Sequence, residues 1–162
     1  MIILGLDPGL ARTGYGLLNT KQSQIFVSCG CLTTKPILST ADRLLQLGQD
    51  LSVLIKQYRP DVAVIEQIFF NTNTSTAMLT AQARGVFSYL LRFHHVPVYS
   101  LTPLQIKSQI TGFGHADKKQ VQQAIQGRLH LNNLPQPDDA ADALAAALCL
   151  VDNKYQLHNI SA

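Results

Sequence analysis

The sequence predicts an α/β domain built on a mixed five-stranded sheet, three antiparallel strands then two parallel ones, flanked by helices. Three observations carry this reading. Apolar runs of strand length at residues 2–6, 15–19 and 24–32 are joined by short turn-forming segments, the pattern of an antiparallel meander. A helical pattern then leads to the continuous apolar run Val62-Ala63-Val64-Ile65, which suits a buried strand of the parallel type. A second long helical pattern precedes the short fifth run, Val96 to Ser100.

The first run ends at Asp7, and Pro8-Gly9 turns the chain at once, which puts the carboxylate at the rim of the sheet. Gly14 and Gly16 keep the return path free of side chains, leaving room for a phosphate beside Asp7. The second and third strands are linked by Thr20-Lys21-Gln22-Ser23. Ser39-Thr40-Ala41-Asp42 has capping-box spacing, and Leu44, Leu47, Leu51, Leu54 or Ile55, and Tyr58 recur at helical intervals up to Arg59-Pro60. A right-handed crossover through that helix lays the fourth strand parallel to and near the first. Glu66, which ends the fourth strand, then stands at the same sheet edge as Asp7.

Asn73 or Thr74 is placed to cap a long helix running to His94. Its apolar positions Leu79, Ala83, Val86, Phe87 and Leu90 fall on one arc, while Met78, Gly85, Tyr89 and Phe93 widen that arc past half the circumference. One sheet cannot hide so broad a face, and the same helix of a second subunit, or neighbouring helices of this chain, must cover it. Thr102-Pro103 gives an N-cap and a first-turn proline for another helix. After a glycine-bearing break at 110–115, a further helix starts near Asp117 with Lys118-Lys119 in its first turn, where an anion would offset the unfavourable dipole. The last helix begins near Asp138, after Leu134-Pro135-Gln136-Pro137. Asp139 and Asp142 lie three apart on one face of it, among alanines small enough to let the helix lie close on a sheet.

With 162 residues the chain is expected to form one domain over residues 1–152, with a flexible tail over 153–162. Hydrophobic residues at 46% against 14% charged exclude a disordered chain. No apolar run reaches membrane-span length and no secretory signal is visible, so a soluble, cytoplasmic protein without a membrane partner is expected. Cys29, Cys31 and Cys149 suit packed, reduced thiols, and the five histidines form no ligand set. The net charge is +3, but if four of the ten acidic residues share one site, six remain against 13 basic residues. A basic surface around an acidic focus is what a metal-dependent enzyme acting on a polyanion requires.

Asp7, Glu66, Asp139 and Asp142 thus have a reason to meet, at the shared end of two strands beneath a helix terminus. Carboxylates so close raise one another's pKa, and divalent cations relieve that strain. An all-oxygen set without Cys or His selects Mg²⁺ or Mn²⁺ over zinc. Two ions roughly 4 Å apart would activate a water and stabilise the leaving oxygen of an in-line phosphoryl displacement.

Leu4-Gly5-Leu6-Asp7-Pro8-Gly9 with Thr13-Gly14-Tyr15-Gly16, Ile65-Glu66-Gln67-Ile68-Phe69, Gln82-Ala83-Arg84-Gly85 and Asp139-Ala140-Ala141-Asp142-Ala143-Leu144 closely resemble the RuvC family of Holliday-junction resolvases, in order and over nearly the whole chain. The resemblance implies an RNase H-like fold, a homodimer, and Mg²⁺-dependent symmetric nicking of four-way junction DNA, in recombination and repair, alongside the RuvA–RuvB branch-migration complex. It further implies that the four acids form the catalytic metal site, that Lys107 and Lys118 hold DNA near the scissile phosphate, and that Phe69 stacks on junction bases. Phe70 competes with Phe69 for that role, and Asp138, directly before Asp139, leaves a one-residue ambiguity in the acidic set. A YqgF-type nuclease shares the Asp-x-Gly opening, and a junction-binding protein with a defunct site is the non-enzymatic alternative.

Overall fold

The computed structural model describes residues 1–68, 74–152 and 158–159. Strands β1 (Ile2–Asp7), β2 (Arg12–Asn19) and β3 (Phe26–Thr33) form the expected antiparallel meander. Helix α1 (Thr40–Tyr58) crosses to β4 (Val62–Glu66), and α2 (Thr74–Phe93) crosses to β5 (Val98–Leu101). Helices α3 (Pro103–Thr111), α4 (Lys118–Leu129) and α5 (Asp138–Val151) follow. The sheet order is β3-β2-β1-β4-β5, with β1, β4 and β5 mutually parallel, and the two-residue strand β6 (His158–Asn159) adds antiparallel to β5.

Alternation along β1 divides the core. Leu4 and Leu6 point to the α1–α2 face, packing with Leu47, Leu51, Phe87 and Leu91. Ile3 points to the other face, where Val64, Ile106, Val121, Ile125, Leu144 and Leu148 bury against it. The result is three layers, with α5 lying on the centre of the sheet.

Local chemistry fixes the helix ends. Ser39 accepts from the Asp42 backbone amide at the start of α1, and Arg59 closes it in the left-handed region (φ 48°). Thr102 with Gln105, and Asp117 with Gln120, complete reciprocal capping boxes at α3 and α4. The Asn73 cap considered for α2 lies outside the described residues.

Two details depart from the sequence reading. Strand β2 starts at Arg12 rather than Tyr15, because the β1–β2 ladder continues to Asp7 opposite Gly14. The turn it closes is held by Thr13, whose hydroxyl donates to the Gly9 carbonyl at 2.7 Å and accepts from the Gly9 amide at 3.2 Å. Gly14 and Gly16 leave no phosphate space. A Cβ on Gly14 would land on the Asp139 carbonyl oxygen, and one on Gly16 would meet the Leu144 Cα at 2.8 Å. These glycines admit the backbone of α5, a partner more than 120 residues away that strand periodicity cannot see.

Among the described residues, nothing covers the outer part of the broad α2 face. Met78, Tyr89 and Phe93 remain 63%, 67% and 63% exposed, so the neighbouring helices do not supply the second partner.

Candidate active site

Asp7 and Glu66 each lie one residue beyond the last β1–β4 pair, Leu6 with Ile65. They end adjacent parallel strands at the same edge. The first turn of α5 rests on Gly14, which itself pairs with Asp7, and this close seat brings Asp139 and Asp142 over the same edge. The helix has no side-chain cap at Pro137, so its unpaired amides and dipole leave positive potential at this end.

The four acids are electrostatically joined. The Asp7 carboxyl is pushed well above its usual range by burial first, then by Glu66, Asp142 and Asp139, with Lys118 opposing. Burial and Asp142 raise Glu66, while Lys107 and Lys118 pull it down. Asp142 is raised by burial against the lowering effect of Lys118. Glu66, Asp142, Lys107 and Lys118 line one cavity of about 200 Å³.

Although within electrostatic reach, no three acidic, histidine or cysteine side chains among the described residues are drawn together closely enough to enclose an ion. Arg12 Nη1 donates to Asp139 Oδ2 at 3.2 Å, which engages that carboxylate on the β2 side. The donor set nevertheless suits a hard divalent cation: every group is a carboxylate, and the upward push of burial on the carboxyls of Asp7, Glu66 and Asp142 is what a bound cation would offset.

Asp138 is engaged by α4, although its charge still acts on Asp142. Its carboxylate accepts from Gln122 Nε2 at 2.9 Å and lies 3.7 Å from the Lys118 ammonium. That geometry separates it from Asp139, which lies against the β2 side. Phe69 and Phe70 lie outside the described residues. Arg12 was missed by sequence reasoning although it stands inside the opening motif, because a lone exposed arginine carries no spacing signal until its partner is located. Arg84, inside the quoted Gln82–Gly85 segment, donates to Ser100 Oγ at 2.6 Å, tying α2 to β5 behind Glu66.

Comparison with known proteins places this geometry. The family described as crossover junction endodeoxyribonuclease RuvC matches residues 3–150. The chain belongs to the RuvC family. The RuvC protein of Alkaliphilus oremlandii is 45% identical over 150 residues, 92% of each chain. That of Roseiflexus sp. is 46% identical over 147 residues, covering 90% of this chain and 88% of the relative. Among solved structures, Thermus thermophilus RuvC in complex with a Holliday-junction substrate superposes with a TM-score of 0.90 at 27% identity, covering 99% of both chains. The yeast mitochondrial resolvase Ydc2 shares the fold at 16% identity, with a TM-score of 0.61 over 91% of this chain and 77% of that one. The RuvC architecture is the RNase H-like mixed sheet described above.

Proposed function

We propose that this chain is a structure-selective endonuclease that resolves four-way DNA junctions by paired symmetric nicking, in homologous recombination and DNA repair. The observation that carries the proposal is that Asp7, Glu66, Asp139 and Asp142 lie within electrostatic reach of one another in a chain of RuvC-family sequence and fold.

In this reading the four carboxylates hold Mg²⁺, with Mn²⁺ able to substitute. A divalent ion held there would supply water activation and charge stabilisation for in-line phosphodiester hydrolysis. The protein's own residues do the rest. Asp7 and Glu66, fixed by the rigid ends of β1 and β4, set the position of the reacting phosphate. Lys107 and Lys118, lining the cavity with Glu66 and Asp142, attract the DNA backbone and oppose protonation of the acids. Phe69 is assigned to stacking on junction bases.

Paired nicking needs two active sites, and a homodimer provides them. The uncovered face of α2 supports one: Leu45, Val53, Val86 and Tyr89 line a groove of about 680 Å³ between α1 and α2, and Tyr89 stacks on Phe93 with centroids 6.1 Å apart. Two such faces related by a twofold axis would bury each other. Among the described residues no helix is long and apolar enough to cross a membrane, consistent with work in the cytoplasm beside RuvA and RuvB.

The test is incubation with a synthetic four-way junction and with linear duplex of the same sequence. Cutting in Mg²⁺ at symmetric positions, abolished by EDTA, supports the assignment. Equal cutting of linear duplex overturns junction selectivity but leaves a nuclease; binding without cutting in either metal overturns the enzyme.

A further inference from the structure

A second cavity, of about 650 Å³, flanks the acidic group on the β2 side and shares no lining residue with the Lys107–Lys118 cavity. Its wall includes Arg12, Thr33, Thr34, Arg43, Thr80 and Asp139. Asp139 is the sole acid among the described lining residues, and it is held by Arg12.

The two arginines differ in freedom. Arg43 Nε donates to Thr34 Oγ1 at 2.8 Å, and that hydroxyl donates to the Leu10 carbonyl at 2.7 Å. The guanidinium is therefore fixed through one nitrogen, and among the described residues neither terminal nitrogen of Arg43 has a hydrogen-bond partner. A guanidinium so oriented is ready to meet a phosphate with its remaining donors. Arg12 is 54% exposed in its side chain and, among the described residues, bound only to Asp139, an ion pair of the weak, exposed kind.

We propose that this cavity is a subsite for a DNA backbone phosphate, held by Arg43 and Arg12, and that Arg12 leaves Asp139 to reach it. The proposal rests on the nuclease reading above and deepens it. While Arg12 holds Asp139, the carboxylate is withheld from a cation. Once a cation takes Asp139, both guanidinium charges face the cavity without an opposing acid, and an anion is drawn in. Each event favours the other, and by linkage the effect is reciprocal. A strand crossing the site would present phosphates to the lysine cavity on one side and the arginine cavity on the other.

The test uses the full chain and the variants Arg12→Gln, Arg43→Gln and Arg43→Lys. Calorimetric titration with Mn²⁺ alone, without DNA, should show Arg12→Gln binding the ion several-fold more tightly than wild type and Arg43→Gln binding it equally well. Binding to a four-way junction and to linear duplex in EDTA is then measured against salt. Arg43→Gln should lower the slope of log affinity on log salt by about one per site, while Arg12→Gln, whose guanidinium in the wild type stays on Asp139 when no cation is present, should change it less and Arg43→Lys keeps the wild-type slope. Unchanged or weaker Mn²⁺ binding by Arg12→Gln overturns the exchange of partners. An unaltered slope in Arg43→Gln, or a slope in Arg43→Lys as shallow as in Arg43→Gln, overturns the subsite. Junction preference and cutting by the wild type judge the nuclease reading separately, since the duplex slopes still test the subsite if that preference fails.

Discussion

Gly14 and Asp139 are in backbone contact: the space a Gly14 side chain would fill is occupied by the Asp139 carbonyl. Since Gly14 pairs with Asp7 across the β1–β2 ladder, one glycine fixes the separation of two acids from opposite ends of the sequence. Gly14→Ala should lower stability by about 1–3 kcal/mol through overpacking, read as a drop of several degrees in Tm. It should also reduce junction cleavage by more than tenfold at temperatures where the variant stays folded. Single-turnover kinetics beside a thermal melt would check both, and unimpaired cleavage would show that the seat of α5 does not position the acids.

Asp7→Asn should still bind a four-way junction and not cut it. Its stability should also depend on pH differently from wild type. Asp7 is raised above its unfolded value, so the folded protein binds the extra proton, and this contribution to stability is present at low pH and lost as pH rises through the raised value. In EDTA, Asp7→Asn should therefore be more stable than wild type at pH 8, by on the order of 2–4 kcal/mol, with the gap closing toward pH 4. Melts across that range decide the matter; a gap that widens on acidification contradicts it.

Lys118 lowers the proton affinity of Asp7, Glu66 and Asp142. Lys118→Met should shift the pH at which Mn²⁺ binding reaches half its maximum upward, because the acids must lose their protons before they take the ion. Titrations at a series of pH values would detect the shift, and a downward movement would contradict the assigned sign.

Tyr89→Asp places a charge in the middle of the exposed α2 face. Sedimentation velocity should find wild type as a dimer and the variant as a monomer at micromolar concentration. Junctions treated with the variant should accumulate single nicks rather than paired ones. A monomeric wild type would remove the basis for symmetric cutting.

The order and type of the elements were legible because apolar periodicity and caps are local, as at Ser39 and Thr102. The neighbourhood of Asp7 and Glu66 followed from the handedness of one crossover, and the β1–β4 register agrees. In α1 the choice between Leu54 and Ile55 fell to Ile55, which is buried. What could not be read was anything that depends on a distant partner. Gly14 and Gly16 look like turn residues until α5 is laid over them, and Arg12 looks like solvent-facing charge until Asp139 is beside it. The separation of Asp138 from Asp139 rests on Gln122 and Lys118 of α4, which no spacing within the Asp-Asp-Ala-Ala-Asp run could reveal.

In chain order β1 precedes every other described element, and α5 follows all of them but β6. A nascent polypeptide therefore carries Asp7 and Glu66 out of the ribosome well before Asp139 and Asp142 exist to join them. Synthesis itself keeps the proposed cutting centre unfinished until the sheet that must aim it has been made.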